Sequence, residues 1–306
     1  MPEHRKIGIL GGDRRMLTVA ARLAEENECA VWGFDLADVC GNSAGLHSCV
    51  RCADPESAVR GSEAVILPLP CASVEDRLNC PLAGEGASVS LTGILRQMQP
   101  GTLLCGGMLP TGLKRLAAEY GVRAVDYFES EELQILNAVP TAEGALAACM
   151  REIPRTVCGM KTAVLGYGRV GRTLANRLHA LGAEVIAAAR SKRDLSWAET
   201  DGCRPMPLPE FRKAPPQVEA IFNTIPSPVI DGELLGRLSR DTVLFELASG
   251  GADLLETEHA EAEKYGIRLI PLPSLPGRVF PVTAGEIISR TVRELLRQHR
   301  EGKVGA

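Results

Sequence analysis

Aromatic side chains, net charge and long apolar runs are all scarce in this 306-residue sequence. Aromatics make up 4% of it, and 34 basic against 38 acidic residues leave a formal net charge of −4. Such a chain offers neither a platform for stacking bases nor a basic face that tracks phosphates, so no nucleic-acid partner is expected. No stretch approaches the ~20 apolar residues of a membrane helix, so no membrane partner is expected either. The first apolar segment, Ile7–Leu10, runs straight into Gly11, Gly12, Asp13, Arg14 and Arg15, unlike a secretion signal. Histidine is sparse as well. Among the five, His4 and His299 lie near the ends and His179 and His259 in helical stretches, and no Ser/His/Asp arrangement is legible.

Ten cysteines are scattered along the chain, which reads as free thiols in a reducing compartment and makes a cytoplasmic location the expectation. Cys40, His47, Cys49 and Cys52 form the one cluster, with a single C-x-x-C. A structural zinc site takes a second well-spaced ligand pair, and Cys40 with His47 is a poor one, so no metal is expected.

Composition is otherwise that of a globular chain: 45% hydrophobic, 24% charged, with 31 glycines and 20 prolines. Short aliphatic runs at Lys6–Leu10, Ala30–Phe34, Ala64–Leu67, Thr102–Cys105 and Val122–Val125 alternate with helix-length segments. A second series follows at Thr162–Leu165, Glu184–Ala188, Ala220–Asn223, Val243–Leu247 and Arg268–Ile270. Strands that read as unbroken apolar runs belong to parallel sheets covered on both faces. The fold class is therefore α/β, with two doubly wound parallel-sheet domains. A shift from Lys6 to Lys161 lays Lys6–Gly11 over Lys161–Gly166 and Ala21–Leu23 over Asn176–Leu178, so one βαβ plan occurs twice. The domains are expected at 1–138 with a terminal helix from 283, and at 139–282. The crossing falls at Asn137–Gly144, where Pro140 discourages helix at Val139 and Thr141 caps a helix starting at Ala142. Pro271, Pro273, Pro276 and Pro281 then break the chain before the last helix, and a cleft between the domains is expected.

Gly166-Tyr167-Gly168-Arg169-Val170-Gly171 fits G-x-G-x-x-G, follows an apolar strand and opens a helix. Gly166 suits the tight turn, Gly168 the close approach of a pyrophosphate, and Gly171 the packing of helix on strand. The second domain thus reads as a Rossmann dinucleotide-binding domain. Where an NAD site places Asp or Glu, this chain has Arg190, followed by Ser191, Lys192 and Arg193. A carboxylate there would repel a 2′-phosphate, whereas guanidinium and hydroxyl donors bind it, so NADP is the expected cofactor. Thr224, Ile225 and Pro226 after the fourth strand, and Ser249 after the fifth, fall where such folds meet the nicotinamide.

The first copy departs from the motif. Asp13 stands where Gly168 does and Met16 where Gly171 does, so this domain reads as the substrate domain, with Asp35 the last trace of an NAD site. Arg15, in a helix's first turn where the dipole disfavours cations, is a candidate for binding a carboxylate with Gly12 and Asp13. Arg14 is expected to reach solvent. Glu143, at the head of the crossing helix, is either a first-turn carboxylate favoured by the dipole or a proton acceptor.

Gly11-Gly12-Asp13 with Arg15, and Asn137-x-x-Pro140-Thr141-x-Glu143-Gly144, together resemble the family of A-type subunits of dipicolinate synthase. So do Val164–Arg169, Ala189-Arg190-Ser191, Asn223–Ser227, Leu275-Pro276-Gly277 and Thr283-Ala284-Gly285, and the likeness spans nearly the whole chain. One departure is the stretch Ala248–Asp253, shorter than the Ser-x-Pro-Gly-Gly type of loop. The resemblance implies an NADP-dependent oxidoreductase that converts dihydrodipicolinate to dipicolinate in endospore formation. It also implies a partner, the flavoprotein-like B-type subunit of dipicolinate synthase. A substrate with two carboxylates needs two anion sites, and Arg15 with Gly12 and Asp13 is the candidate for one, Pro276 and Gly277 for the other. Arg15 and Glu143 are the candidate catalytic residues, and a homo-oligomer is expected. Two alternatives stay open: a D-2-hydroxyacid-type dehydrogenase, which needs a cleft histidine absent after the late strands, and a non-catalytic NADP-binding regulatory subunit.

Overall fold

The chain divides into two compact units, Met1–Leu136 with Phe280–Ala306, and Asn137–Val279. The computed structural model describes residues 5–34, 48–74, 76–84, 87–248 and 252–302. The first unit holds β1 (Lys6–Leu10), β2 (Glu28–Trp32), β3 (Cys49–Arg51), β4 (Ala64–Ile66), β5 (Ala72–Val74), β6 (Arg77–Leu78), β7 (Leu103–Gly106) and β8 (Arg123–Asp126). Among the described residues, β5 and β6 form an antiparallel hairpin and the others a parallel sheet ordered β3-β2-β1-β4-β7-β8. The second unit holds β9 (Lys161–Leu165), β10 (Glu184–Ala189), β11 (Arg204–Pro207), β12 (Ala220–Asn223), β13 (Val243–Glu246) and β14 (Arg268–Pro271). Their parallel sheet is ordered β11-β10-β9-β12-β13-β14. Both orders are those of a doubly wound sheet, and each reverses direction between its first and fourth strands, which is where such sheets open a crevice at their carboxyl ends.

Strand residues alternate between two cores, as a sheet covered on both faces requires. Ile7 and Ile9 pack into one apolar cluster of the first unit and Leu10 into the other. Val164 and its neighbours Ala163 and Leu165 divide in the same way in the second unit.

Each sheet has one edge strand beyond the five expected. β11 reads Arg204-Pro205-Met206-Pro207, and prolines, which cannot donate to a ladder, are tolerated only at such an edge. β3 is three residues long and begins at Cys49, inside the cysteine cluster. Cys49 pairs in register with Cys29, and its thiol donates to the Ala20 carbonyl at 3.8 Å. Cys40, His47 and Asp35 lie outside the described residues, among which no group of His, Cys, Asp or Glu is arranged to hold a metal ion.

The expected helix start at Thr141 is not observed. One helix runs from Glu131 to Glu152 with Pro140 inside it, so Glu143 sits mid-helix, beyond the reach of an N-terminal dipole. A proline inside a helix costs about 3 kcal/mol. Burial of Ala142, Ala145, Ala148 and Cys149 in the core of the second unit opposes that cost.

The last helix, Pro281–Arg300, belongs to the first unit and lies against the helix Arg14–Leu23. Ile288, Val292 and Leu296, spaced four apart, form its buried face with Met16, Val19, Ala20 and Leu23. Gly285 is the point of closest approach: a Cβ there would lie 2.5 Å from the Arg15 carbonyl oxygen and 2.6 Å from Thr18 Cβ. Gly285→Val should therefore destabilise the first unit by about 1–3 kcal/mol through overpacking. Gly112→Ala, where a Cβ meets nothing, should be neutral or stabilising by up to about 1 kcal/mol. Denaturant unfolding of both variants checks this, and equal effects would refute the close approach.

Candidate functional site

Three carboxyl ends build the crevice of the second unit. β9 leads into Gly166, β10 into Arg190 and β12 into Thr224. Gly166 takes φ +90°, and a Cβ on it would press on Thr224 Oγ1 at 2.6 Å and Ile225 at 2.9 Å. A Cβ on Gly171 would overlap the carbonyl of Gly166, so the helix Arg169–Ala180 closes tightly on its strand. A Cβ on Gly168 meets nothing within 4 Å. The three glycines thus play three different parts, and only the middle one faces open space.

The cleft they enter has a volume of about 460 Å³ and is lined by Gly166–Gly171, Ala189–Ser191, Asp194 and Thr224–Pro226. Two helix N-termini open onto it, those of Arg169–Ala180 and Lys192–Thr200. Their caps, Gly168 and Ser191, make no side-chain capping hydrogen bond. Helix N-termini without a capping side chain carry about half a positive charge each, so the cleft suits a ligand with more than one phosphate.

Of the sequence-derived cofactor residues, Gly166, Gly168, Arg169, Val170, Gly171, Arg190, Ser191, Thr224, Ile225 and Pro226 come together here. Arg193 does not line the cleft; its side chain is 83% exposed and pairs with Asp194 at 3.4 Å. Ser249 lies outside the described residues.

Several residues of this region were not legible from the motif. Asp194 brings a carboxylate to the Ser191 end of the cleft. Asn223 and Glu246, both buried, end β12 and β13 and join through Asn223 Nδ2 and Glu246 Oε2 at 2.7 Å. Asn223 Oδ1 accepts from Ile225 N, and Glu246 Oε1 from Ala248 N, so the pair fixes Ile225 and Ala248, just past the two strands. Beneath the glycine loop, the buried Tyr167 donates to Asp201 at 2.9 Å. Arg172 grips the same carboxylate at 2.7 and 3.1 Å. The Arg172 fork is the main force holding the Asp201 carboxyl below the usual carboxylate range; burial opposes it and the Tyr167 hydroxyl assists. Burial, chiefly, pushes the Tyr167 phenol up, which keeps it a donor. A depressed carboxyl stabilises the fold above its ordinary range and loses that contribution only as pH falls through the lowered value, so the cluster is intact at neutral pH.

The first unit answers the same geometry differently. Gly11 takes φ +62°, and the Gly12 amide, which follows it, already donates to the Asn79 carbonyl at 2.8 Å. Asp13 caps the helix Arg14–Leu23 by accepting from Arg15 N at 3.0 Å. Its carboxylate also takes Arg15 Nε at 2.9 Å and Nη2 at 2.8 Å, and Nη2 reaches on to the Leu69 carbonyl, beyond β4. Arg15 is only 6% exposed, whereas Arg14 is exposed.

The remaining candidates lie in the second unit. Glu143 Oε1 accepts from Arg177 Nε at 3.2 Å. Pro276 and Gly277 are buried in the short helix Leu275–Val279, whose Leu275 lies 3.2 Å from a Cβ built on Gly144.

Comparison with known proteins places this architecture. Over 303 residues the chain is 31% identical to the A-type subunit of dipicolinate synthase from Bacillus subtilis (strain 168), covering 97% of this chain and 98% of that one. The chain belongs to this family, the A-type subunits of dipicolinate synthase. Residues 6–128 match the family's N-terminal domain, and 141–252 match the NAD binding domain of D-isomer specific 2-hydroxyacid dehydrogenases. The crystal structure of the dipicolinate synthase A chain from Bacillus subtilis superposes with a TM-score of 0.83 at 29% identity, over 99% of both chains. That of the A-type subunit from Bacillus halodurans gives 0.81 at 28% identity, over 97% of this chain and 99% of that one. Family membership and the NAD-binding dehydrogenase domain make the chain an oxidoreductase with a nicotinamide dinucleotide cofactor. Among the described residues, no helix is long and apolar enough to cross a membrane.

The unequal parts of the glycines have a measurable consequence. Gly168→Ala should keep the fold and weaken dinucleotide binding by about 1–3 kcal/mol, the cost of overfilling a fitted contact. Gly171→Ala should lower the melting temperature instead. Calorimetric titration with a melting curve separates the two, and a Gly168→Ala protein that binds like wild type would refute the assignment.

Proposed function

We propose that this chain is an NADP-dependent dehydrogenase subunit that oxidises dihydrodipicolinate to dipicolinate in endospore formation. We further propose that it works in the cytoplasm as a homo-oligomer with the flavoprotein-like B-type subunit of dipicolinate synthase. The observation that carries the cofactor assignment is the pair of uncapped helix N-termini on one cleft. A diphosphate suits the amides after Gly168. A further phosphate suits the Ser191 end, where Arg190 lines the cleft and Asp194, the carboxylate at this end, is paired with Arg193 at 3.4 Å. Thr224, Ile225 and Pro226, and Ser249 by its place in the sequence, are assigned to the nicotinamide side. A bound oxidised nicotinamide supplies the hydride acceptor.

The substrate is a dianion, and its first carboxylate is assigned to Arg15. Asp13 and Leu69 occupy Nε and Nη2, so Nη1 is the edge of the fork that meets it. Gly12 keeps the turn narrow, and Asp13 holds the guanidinium still, which lowers the entropy lost on binding. Glu143 is the candidate acceptor for the ring proton, oriented through Arg177. Pro276 and Gly277 serve the site by seating Leu275 on Gly144, next to Glu143.

Co-expression with the B-type partner, followed by an assay of dipicolinate formation, tests the activity. The wild-type pair should form dipicolinate with NADP, and Arg15→Ala should raise the substrate KM by one to two orders of magnitude, roughly the worth of a charge-assisted hydrogen bond. Arg190→Glu should weaken NADPH by about 1–3 kcal/mol and spare NADH. A pair that binds NADP tightly but forms no dipicolinate would assign the chain a regulatory role. Equal effects of Arg190→Glu on both nucleotides would remove the case for NADP.

A further inference from the structure

A phosphate loop built of glycines has no side chains with which to hold its own shape. In this chain the exception is Tyr167, the residue between the two glycines at the turn. Its side chain is 4% exposed, and its hydroxyl ends 2.9 Å from Asp201 Oδ2. Asp201 is the C-terminal cap of the helix Lys192–Thr200, the same helix whose other end, at Ser191, opens onto the cleft. Arg172, in the first turn of the helix that the glycine loop opens, completes the cluster. Its Nε and Nη2 bond the two Asp201 oxygens, and its guanidinium carbon lies 4.1 Å from the centre of the Trp197 ring on the Lys192–Thr200 helix.

One carboxylate therefore joins the diphosphate loop, the helix behind it and the helix behind the adenosine end. Its position is informative. A negative charge at a helix C-terminus opposes the dipole, so Asp201 is not there for the stability of its own helix. The charge is balanced from outside, by Arg172 and the Tyr167 hydroxyl.

We propose that Asp201 is a positioning residue that sets the spacing between the Gly166–Gly171 loop and the Arg190–Ser191 end of the cleft, which presupposes the NADP site proposed above. A dinucleotide with a third phosphate must engage both ends at once, so its affinity depends on that spacing. NADH, which lacks the phosphate at the Ser191 end, depends on it less.

Calorimetric titration of NADPH and NADH into wild type, Tyr167→Phe, Asp201→Asn and the double variant tests this, with melting temperatures alongside. Tyr167→Phe keeps the ring and its packing and removes the bond to Asp201 together with the longer one to Cys203 Sγ at 3.9 Å, so it provides a folded test even where Asp201→Asn is unstable. Each single variant should weaken NADPH about tenfold, the worth of one charge-assisted hydrogen bond. The double variant should lose no more than the worse single one, because both break the same tie. Lower melting temperatures with NADPH affinity unchanged to within about twofold, the usual scatter of additive effects, would overturn the proposal and leave Asp201 a structural residue. A wild type that prefers NADH overturns the NADP assignment alone, and the tie is then judged on the loss of NADH affinity. A wild type that binds neither overturns both.

Discussion

A helix that starts at the carboxyl end of a sheet's first strand brings unsatisfied amides and partial positive charge to the switch point. Something must meet them, whether a side chain, water or a ligand. Both halves of this chain have that arrangement, with the same strand order around it, and the differences in their chemistry begin with what each one supplies. The second unit supplies no cap at either helix start: Gly168 has no side chain, and Ser191 does not bond back to its helix, whose first turn carries one carboxylate, Asp194. The first unit supplies Asp13.

That one replacement accounts for much of the first unit's local structure. With a carboxylate already at the N-terminus, an incoming phosphate would meet a like charge, and the guanidinium of Arg15 becomes its natural partner. The backbone amide of Gly12 is taken by Asn79, and the space beside Gly11 is closed by Leu78 and Cys80, from the hairpin β5–β6 and the residues after it. A strand pair inserted after β4 thus closes over the turn that in the other half borders an open cleft. What remains is a buried, rigidly held arginine, which suits a small anion better than an extended cofactor.

The periodic elements were legible in the sequence because buried parallel strands are continuous apolar runs, and both sheets appear where those runs lie. β3 and β11 were not. A three-residue strand has no period to detect, and two prolines in four residues argue against a strand until the partner is seen to lie on one side only. Pro140 misled in the opposite direction: local stereochemistry predicts a break, and burial of the following alanines overrides it. That the glycine loop and Arg190 share one cleft was legible, because a turn and a neighbouring strand end meet where the strand order reverses. The first-turn reading of Glu143, by contrast, rested on a helix start that does not exist, and the ion pair with Arg177 joins residues 34 positions apart.

Asp201 shows why support is harder to read than contact. In sequence it is an acidic residue before a glycine, at the end of an amphipathic helix, and nothing local distinguishes it from a solvated turn. Its partners, Tyr167 and Arg172, are about thirty residues away and only come within reach because β10 and the Lys192–Thr200 helix fold back alongside β9. The residues that touch a ligand tend to sit in short motifs, since a turn or a helix end can present them together. The residues that hold those motifs still must come from another element, because a loop of glycines cannot brace itself. A buried polar side chain inside such a loop therefore marks where the brace attaches, and Tyr167 is that residue here.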